Sequence, residues 1–209
     1  MNDLKRSIGL RIFVYYDHEG SITMSQKATI AMYLLDLESM RKDSINVMIS
    51  DYHKSENGML PVQVKSPAHY VYTRMALQKA YDAGFDDCIF MNTNGFITEC
   101  SRASIFIIKN NMILTPSLSS TVLDSITRRS CITLAQELSI PVYEMPLTRD
   151  NVFSADAAFS AGSSLGLTEI NRIDSIMLET SNNKVYKQIK EKYMNCVLGR
   201  EHHEWITTI

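Results

Sequence analysis

The first 35 residues carry a β-type pattern. Residues 10–16 and 28–35 are rich in β-branched and aromatic side chains and predict two strands, with turn chemistry at residues 17–20 after the first. Residues 44–50 predict another short strand, followed by a Ser55-Glu56-Asn57-Gly58 loop. From residue 69 to 83 the period changes. Tyr70, Met75, Leu77 and Ala80 fall at helical spacing, and Gly84 is placed to cap the helix C-terminus. Two hairpins come next. Residues 88–92 and 96–99 flank Asn94-Gly95, a pair that readily takes positive φ, and residues 104–108 and 112–115 flank Asn110-Asn111. A helix is predicted from about residue 124 to 138, with Asp124 or Ser125 as N-cap and Ile126, Leu134 and Leu138 on its apolar face. Residues 140–143 and 157–161 read as strands, and 181–197 as a C-terminal helix. Interleaved strands and helices predict an α+β (mixed α/β) fold. No repeat, low-complexity tract or linker divides it, so residues 1–209 are expected to form one domain.

Composition narrows the function classes. At 209 residues, 45% apolar and 21% charged, the chain can bury a full core as an ordinary globular protein. A formal net charge of −2 without a basic stripe argues against nucleic acid, and no apolar run approaches the length of a membrane span. Met1-Asn2-Asp3-Leu4-Lys5-Arg6 lacks the apolar stretch of a signal peptide. Cys88, Cys100, Cys131 and Cys196 stand singly, with no zinc or disulfide spacing. A cytoplasmic location and no metal are expected, with Cys88 and Cys131 as small core residues.

Several separated positions carry candidate chemistry. Lys65 precedes Ser66-Pro67, which restricts Ser66 to extended conformations and predicts a lysine at a strand end. Facing an apolar interior, such an amine would become a nucleophile. Tyr70 opens the next helix with a phenol, and Glu99 ends a strand with a carboxylate. Ser125-Ile126-Thr127 opens a helix, where free amides and the macrodipole favour an anion. Gly162-Ser163-Ser164 comes after a strand and offers amide and hydroxyl donors to a phosphate or a substrate carboxylate. An amine, a donor for a phenolate, a carboxylate for a pyridine nitrogen and a phosphate cradle are what pyridoxal 5'-phosphate (PLP) requires of a protein.

From about residue 8 onward the chain resembles the large, cofactor-binding domain of class IV PLP enzymes, a group including branched-chain aminotransferases, D-amino acid aminotransferases and 4-amino-4-deoxychorismate lyases. The resemblance rests on Gly95-Phe96-Ile97-Thr98-Glu99, on Leu114-Thr115-Pro116, on Ser125-Ile126-Thr127-Arg128, on Ala155-Asp156-Ala157-Ala158-Phe159 and on Gly162-Ser163. Ser104, Ser125 and Ala157 depart from the family's usual Asn, Gly and Glu. The resemblance implies a D-amino acid aminotransferase-like PLP-binding domain. In it Lys65 forms the Schiff base, Tyr70 meets the phenolate, Glu99 meets the pyridine nitrogen and Leu123 packs on the ring. Ser125, Ile126, Thr127 and Ser163 would bind the phosphate, and Ser163 and Ser164 the substrate. It also implies amino acid and 2-oxo acid substrates and a homodimer. Family members carry a small domain ahead of this one, with an arginine for the phosphate; a chain without it is expected to hold PLP more weakly.

The tail Glu201-His202-His203-Glu204-Trp205-Ile206 and Tyr70 resemble branched-chain aminotransferases, whereas Glu99-Cys100 and Ser163-Ser164-Leu165-Gly166-Leu167 resemble the lyases. Transamination is the leading expectation. The alternatives are a β-eliminating lyase and a non-catalytic, shortened member serving as a binding or dimerisation module.

Overall fold

β-Branched and aromatic runs near the start of the chain form a two-stranded antiparallel ribbon in this computed structural model. Strand β1 (Gly9–Tyr16) pairs with β2 (Ala28–Leu35), in register from Gly9↔Leu35 to Tyr16↔Ala28. The strand period of two puts Leu10, Ile12 and Val14 on one face with Ile30, Met32 and Leu34, while Phe13 stacks on Tyr33 on the other. The structure describes residues 9–16, 28–36, 42–54, 62 and 64–203. The chain forms two compact units, divided between residues 41 and 42. The turn expected at residues 17–20 and the loop at 55–58 lie outside the described residues.

The second unit is built on a nine-stranded mixed sheet. Its strands are β3 (Ser44–Lys54), β4 (Asp87–Asn92), β5 (Ile97–Cys100), β6 (Ser104–Lys109), β7 (Met112–Pro116), β8 (Val142–Met145), β9 (Ala157–Gly162), β10 (Gly166–Ile173) and β11 (Ile176–Met177). Their spatial order is β5-β4-β3-β10-β9-β6-β7-β8, with β11 attached to β10. The pairs β3–β4, β3–β10 and β7–β8 are parallel; the remaining pairs are antiparallel. Helices α1 (Tyr70–Asp82), α2 (Ile126–Glu137), α3 (Arg149–Phe153) and α4 (Lys184–Val197) connect or flank the strands. This is the mixed α/β architecture that the sequence pattern predicts.

Alternation along the central strands sorts the core into two layers. Ile105, Ile107 and Ala158 enter one with Val47, Ile89 and Ile170. Phe106, Ile108, Phe159 and Ala161 enter the other, against Cys131, Leu134 and Ala135 of α2 and Tyr186 and Ile189 of α4. The register Phe106↔Phe159 stacks the two rings with centroids 4.9 Å apart. The helices start where the chain supplies caps: Ser125 for α2, Thr148 with Asn151 in a reciprocal box for α3, and Asn183 for α4. Gly84, at φ 79°, comes after α1 as expected, and Asn110 and Asn111 both take positive φ in the second hairpin turn.

Some expectations need correction. β3 runs four residues beyond Ser50, to Lys54. Strands β10 and β11 and helix α3 lie outside the predicted elements. A register shift between Ile170 and Arg172 interrupts the two-residue period of β10, which hides it from a pattern search. On α1 the buried residues are Thr73, Ala76 and Ala80, and Met75 is exposed. Ile126 is 74% exposed rather than part of the apolar face of α2. It sits in the first turn, ahead of the stretch that packs on the sheet.

A buried hydroxyl ties the helical segment before α4 to the sheet. Thr180 Oγ1 donates to the Ile170 carbonyl (2.7 Å) and accepts from the Ala158 amide (3.1 Å). Thr180→Val would leave the Ala158 N–H without its acceptor in a dry interior. We expect a loss of ~1–3 kcal/mol in denaturant unfolding, with Thr180→Ser close to the parent protein.

Candidate functional site

β5 ends at the turn that precedes β6, and Glu99 is its third residue. Its side chain is 14% exposed. Two groups hold the carboxylate. One oxygen is ion-paired with Lys54 Nζ at the end of β3, and the other accepts the Leu123 amide at 3.2 Å. Lys54 Nζ also lies over the Phe90 ring, 5.4 Å from its centroid. These two contacts compensate a poorly solvated carboxylate. Behind it, Cys88 and Cys100 are buried. Desolvation first, then the Asp87 carboxylate, push the Cys88 thiol up to about 12, and the same two causes in the same order raise the Cys100 thiol.

Leu123 reaches Glu99 because the loop between β7 and α2 makes a sharp excursion. Thr121 takes a left-handed conformation (φ 65°, ψ 41°), a costly one for a β-branched residue, and its buried hydroxyl has no partner among the described residues. Ser125 then caps α2, its Oγ accepting the Arg128 amide at 3.1 Å while its carbonyl accepts Arg129 N–H at 3.1 Å. The amides of Ile126 and Thr127 are left with no acceptor among the described residues, at the positive end of a twelve-residue helix. Thr127 Oγ1 and Ser163 Oγ approach to 3.2 Å, bringing donors from α2 and from the end of β9 to one place. Ser104 Oγ lies 3.2 Å from Ser125 Oγ and links β6 to the same helix start. Asp124, just ahead of the N-cap, is engaged by Arg129, whose side chain holds the Asp124 carboxyl below its ordinary range. The arrangement is a cradle for an anion such as a phosphate monoester.

Two deeper features fix the cradle. Arg128 is 2% exposed, and its guanidinium donates to the Pro116 carbonyl (2.8 Å) and to Glu144 (2.6 Å), tying the first turn of α2 to β7 and β8. Gly162 ends β9 where a Cβ would meet the Arg102 carbonyl at 3.1 Å and the Ala103 side chain at 3.2 Å. A Cβ there would require residues 102–103 to give by a few tenths of an ångström where Ser163 leaves the strand.

Lys65 is exposed, outside any strand, just ahead of a short 3-10 helix (Pro67–His69) capped by Ser66. The strand-end placement expected for it is therefore corrected: β3 has already ended at Lys54. Its ammonium lies 5.9 Å from the centroid of the Tyr70 ring, so those two are brought together. Among the described residues no hydrogen bond, ion pair or ring contact joins Lys65 to Glu99. Ser164 is half-buried beside Ser163. Sequence pattern alone misses Lys54 because it ends β3 too early. Its place at the carboxyl end of a parallel strand, where such sheets gather their binding groups, is the signal that could have found it.

Residues 2–173 match the family model for class IV amino-transferases. The chain belongs to that family. Over 169 residues it is 31% identical to a probable branched-chain-amino-acid aminotransferase of Aquifex aeolicus, covering 79% of this chain and 54% of that protein. A probable branched-chain-amino-acid aminotransferase of Rickettsia bellii is 32% identical over 195 residues, covering 91% and 67%. A branched-chain aminotransferase from Thermoproteus uzoniensis, solved with norvaline, has the same fold with a TM-score of 0.88 at 28% identity, over 96% of this chain and 68% of that one. A putative 4-amino-4-deoxychorismate lyase from Legionella pneumophila shares the fold alone, at 24% identity and a TM-score of 0.79, over 92% and 69%. The class IV chain thus spans about half to two thirds of the length of these relatives. Family enzymes use PLP. The Glu99 carboxylate and the anion cradle fit the ring nitrogen and the phosphate of such a cofactor. No helix of the described residues is long and apolar enough to cross a membrane.

This geometry has two measurable consequences. All four cysteines are buried and free, with burial raising the Cys88, Cys100 and Cys131 thiols. Near neutral pH a thiol reagent should therefore label the native protein very slowly, and all four positions only after denaturation. Gly162→Ala should push residues 102–103 and Ser163 apart. We expect ~1–3 kcal/mol of destabilisation in denaturant unfolding and a measurable loss of inorganic phosphate binding by calorimetry.

Proposed function

We propose that this chain is the PLP-binding part of a transaminase acting on an amino acid, similar to the branched-chain aminotransferases. The observation that carries the reading is the anion cradle at the start of α2 combined with a carboxylate, Glu99, that is engaged by two donors. In it, Ile126 and Thr127 amides and the Thr127, Ser125 and Ser163 hydroxyls bind the phosphate. Leu123 would pack on the ring, the Glu99 carboxylate would accept a hydrogen bond from the protonated ring nitrogen, and the Tyr70 phenol would donate one to the ring oxygen. When bound, PLP supplies the electron sink that lets a substrate α-proton leave. Lys65 Nζ is the amine for the cofactor's aldehyde and the base that takes that proton. Ser163 and Ser164 orient the substrate carboxylate. Amino acids and 2-oxo acids are the substrates, and the working form is a cytoplasmic homodimer.

A second reading has a specific observation in its favour. Lys65 is exposed and Glu99 is already occupied by Lys54, as suits a family member that keeps the fold as a binding or dimerisation module. Titration with PLP separates the two. Transaminase function predicts saturable binding with a visible absorption band that Lys65→Ala abolishes without unfolding the protein, and amino transfer from a branched-chain amino acid to 2-oxoglutarate. Pyruvate release from aminodeoxychorismate without amino transfer would assign the lyase chemistry instead. Absence of saturable binding would leave the module.

A further inference from the structure

Lys54 has no role in the proposed chemistry, yet it is the cation nearest the carboxylate on which that chemistry depends. Its side chain is 26% exposed and stretches over the Phe90 ring to pair with one Glu99 oxygen; the Leu123 amide takes the other. We propose that Lys54 is a resident competitor for Glu99, occupying in the empty protein the carboxylate that the protonated ring nitrogen must share. The proposal rests on the cofactor reading of the site.

Charge decides the direction of the effect. Glu99 carries one negative charge in a poorly solvated position, and in the empty protein Lys54 compensates it. A protonated ring nitrogen brings a second cation to the same carboxylate. Two cations a few ångströms apart on one anion repel each other, so part of the attraction between Glu99 and the ring is cancelled. Lys54 thus stabilises the empty protein and weakens ring binding. By linkage, whatever the pair contributes before the ring arrives and loses afterwards is subtracted from the affinity. Lys54 thus touches the cofactor's partner rather than the reacting atoms.

The two effects of removing Lys54 have opposite signs, which a merely structural role would not produce. Pyridoxamine 5'-phosphate is the probe, because it carries the ring and phosphate but no aldehyde, so Lys65 is not engaged. The parent protein, Lys54→Met, Lys54→Gln and Lys54→Arg are compared by melting of the empty proteins and by fluorescence titration with the probe. Lys54→Met should melt at a lower temperature yet bind the probe about tenfold more tightly, the scale of one displaced charge-assisted contact. Lys54→Arg should resemble the parent in both. If Lys54→Met fails to fold, Lys54→Gln, which keeps a donor without the charge, should show the same opposed pair of changes. Equal or weaker probe binding by the uncharged variants would overturn the proposal. Saturable binding by none of the four proteins would overturn the cofactor reading and this inference with it.

Discussion

The site depends on the position of β9 in the sheet. Antiparallel partners flank it on both sides, and all six of its residues are buried, with Ala158 facing one apolar layer and Phe159 and Ala161 the other. A register slip of one residue would exchange those faces and bury or expose the wrong set, so the register is strongly specified. With β9 fixed, Gly162 must end beside residues 102–103, and Ser163 must emerge next to Thr127 at the start of α2. The packing of β9 in the core thus sets one side of the anion cradle.

Charge then acts locally. Arg128 is buried against a carbonyl and Glu144, and so anchors the helix whose first amides stay open. Ser125 caps that helix through its hydroxyl, a role that glycine, the family's usual residue there, could not fill in the same way. The Leu123 amide links the same loop to Glu99, so the loop that leads into the cradle also holds the carboxylate. A phosphate monoester attached to a protonated aromatic ring is the kind of ligand that satisfies both ends.

Much of this is legible in the sequence, for identifiable reasons. The second hairpin turn at Asn110-Asn111, the positive φ at Gly95 and the cap at Ser125 are local signals that the structure obeys, although Asn94 does not take the positive φ its pairing with Gly95 favours. The pairing of Thr127 with Ser163, 36 positions apart, is expected from the family motif and not from local pattern. The hidden features are those that local pattern cannot carry. β10 contains a register shift, Ile126 looks like a core residue until its place in the first turn is known, and Lys54 gains its meaning only across the sheet, 45 positions from Glu99. Lys65 shows the reverse: Pro67 after Ser66 does restrict the chain, but the restricted residue caps a 3-10 turn instead of closing a strand.

If one amine, Lys65, serves a PLP bound between the α2 cradle and Glu99, that amine can be trapped. Borohydride reduction of the PLP-loaded protein, with mass spectrometry of its peptides, is decisive because reduction fixes the cofactor to the amine that holds it. We expect a phosphopyridoxyl group on Lys65 alone, absent when Glu99→Gln and Thr127→Val are combined. Modification at Lys54, modification scattered over surface lysines, or no modification at saturating PLP would refute the assignment of Lys65.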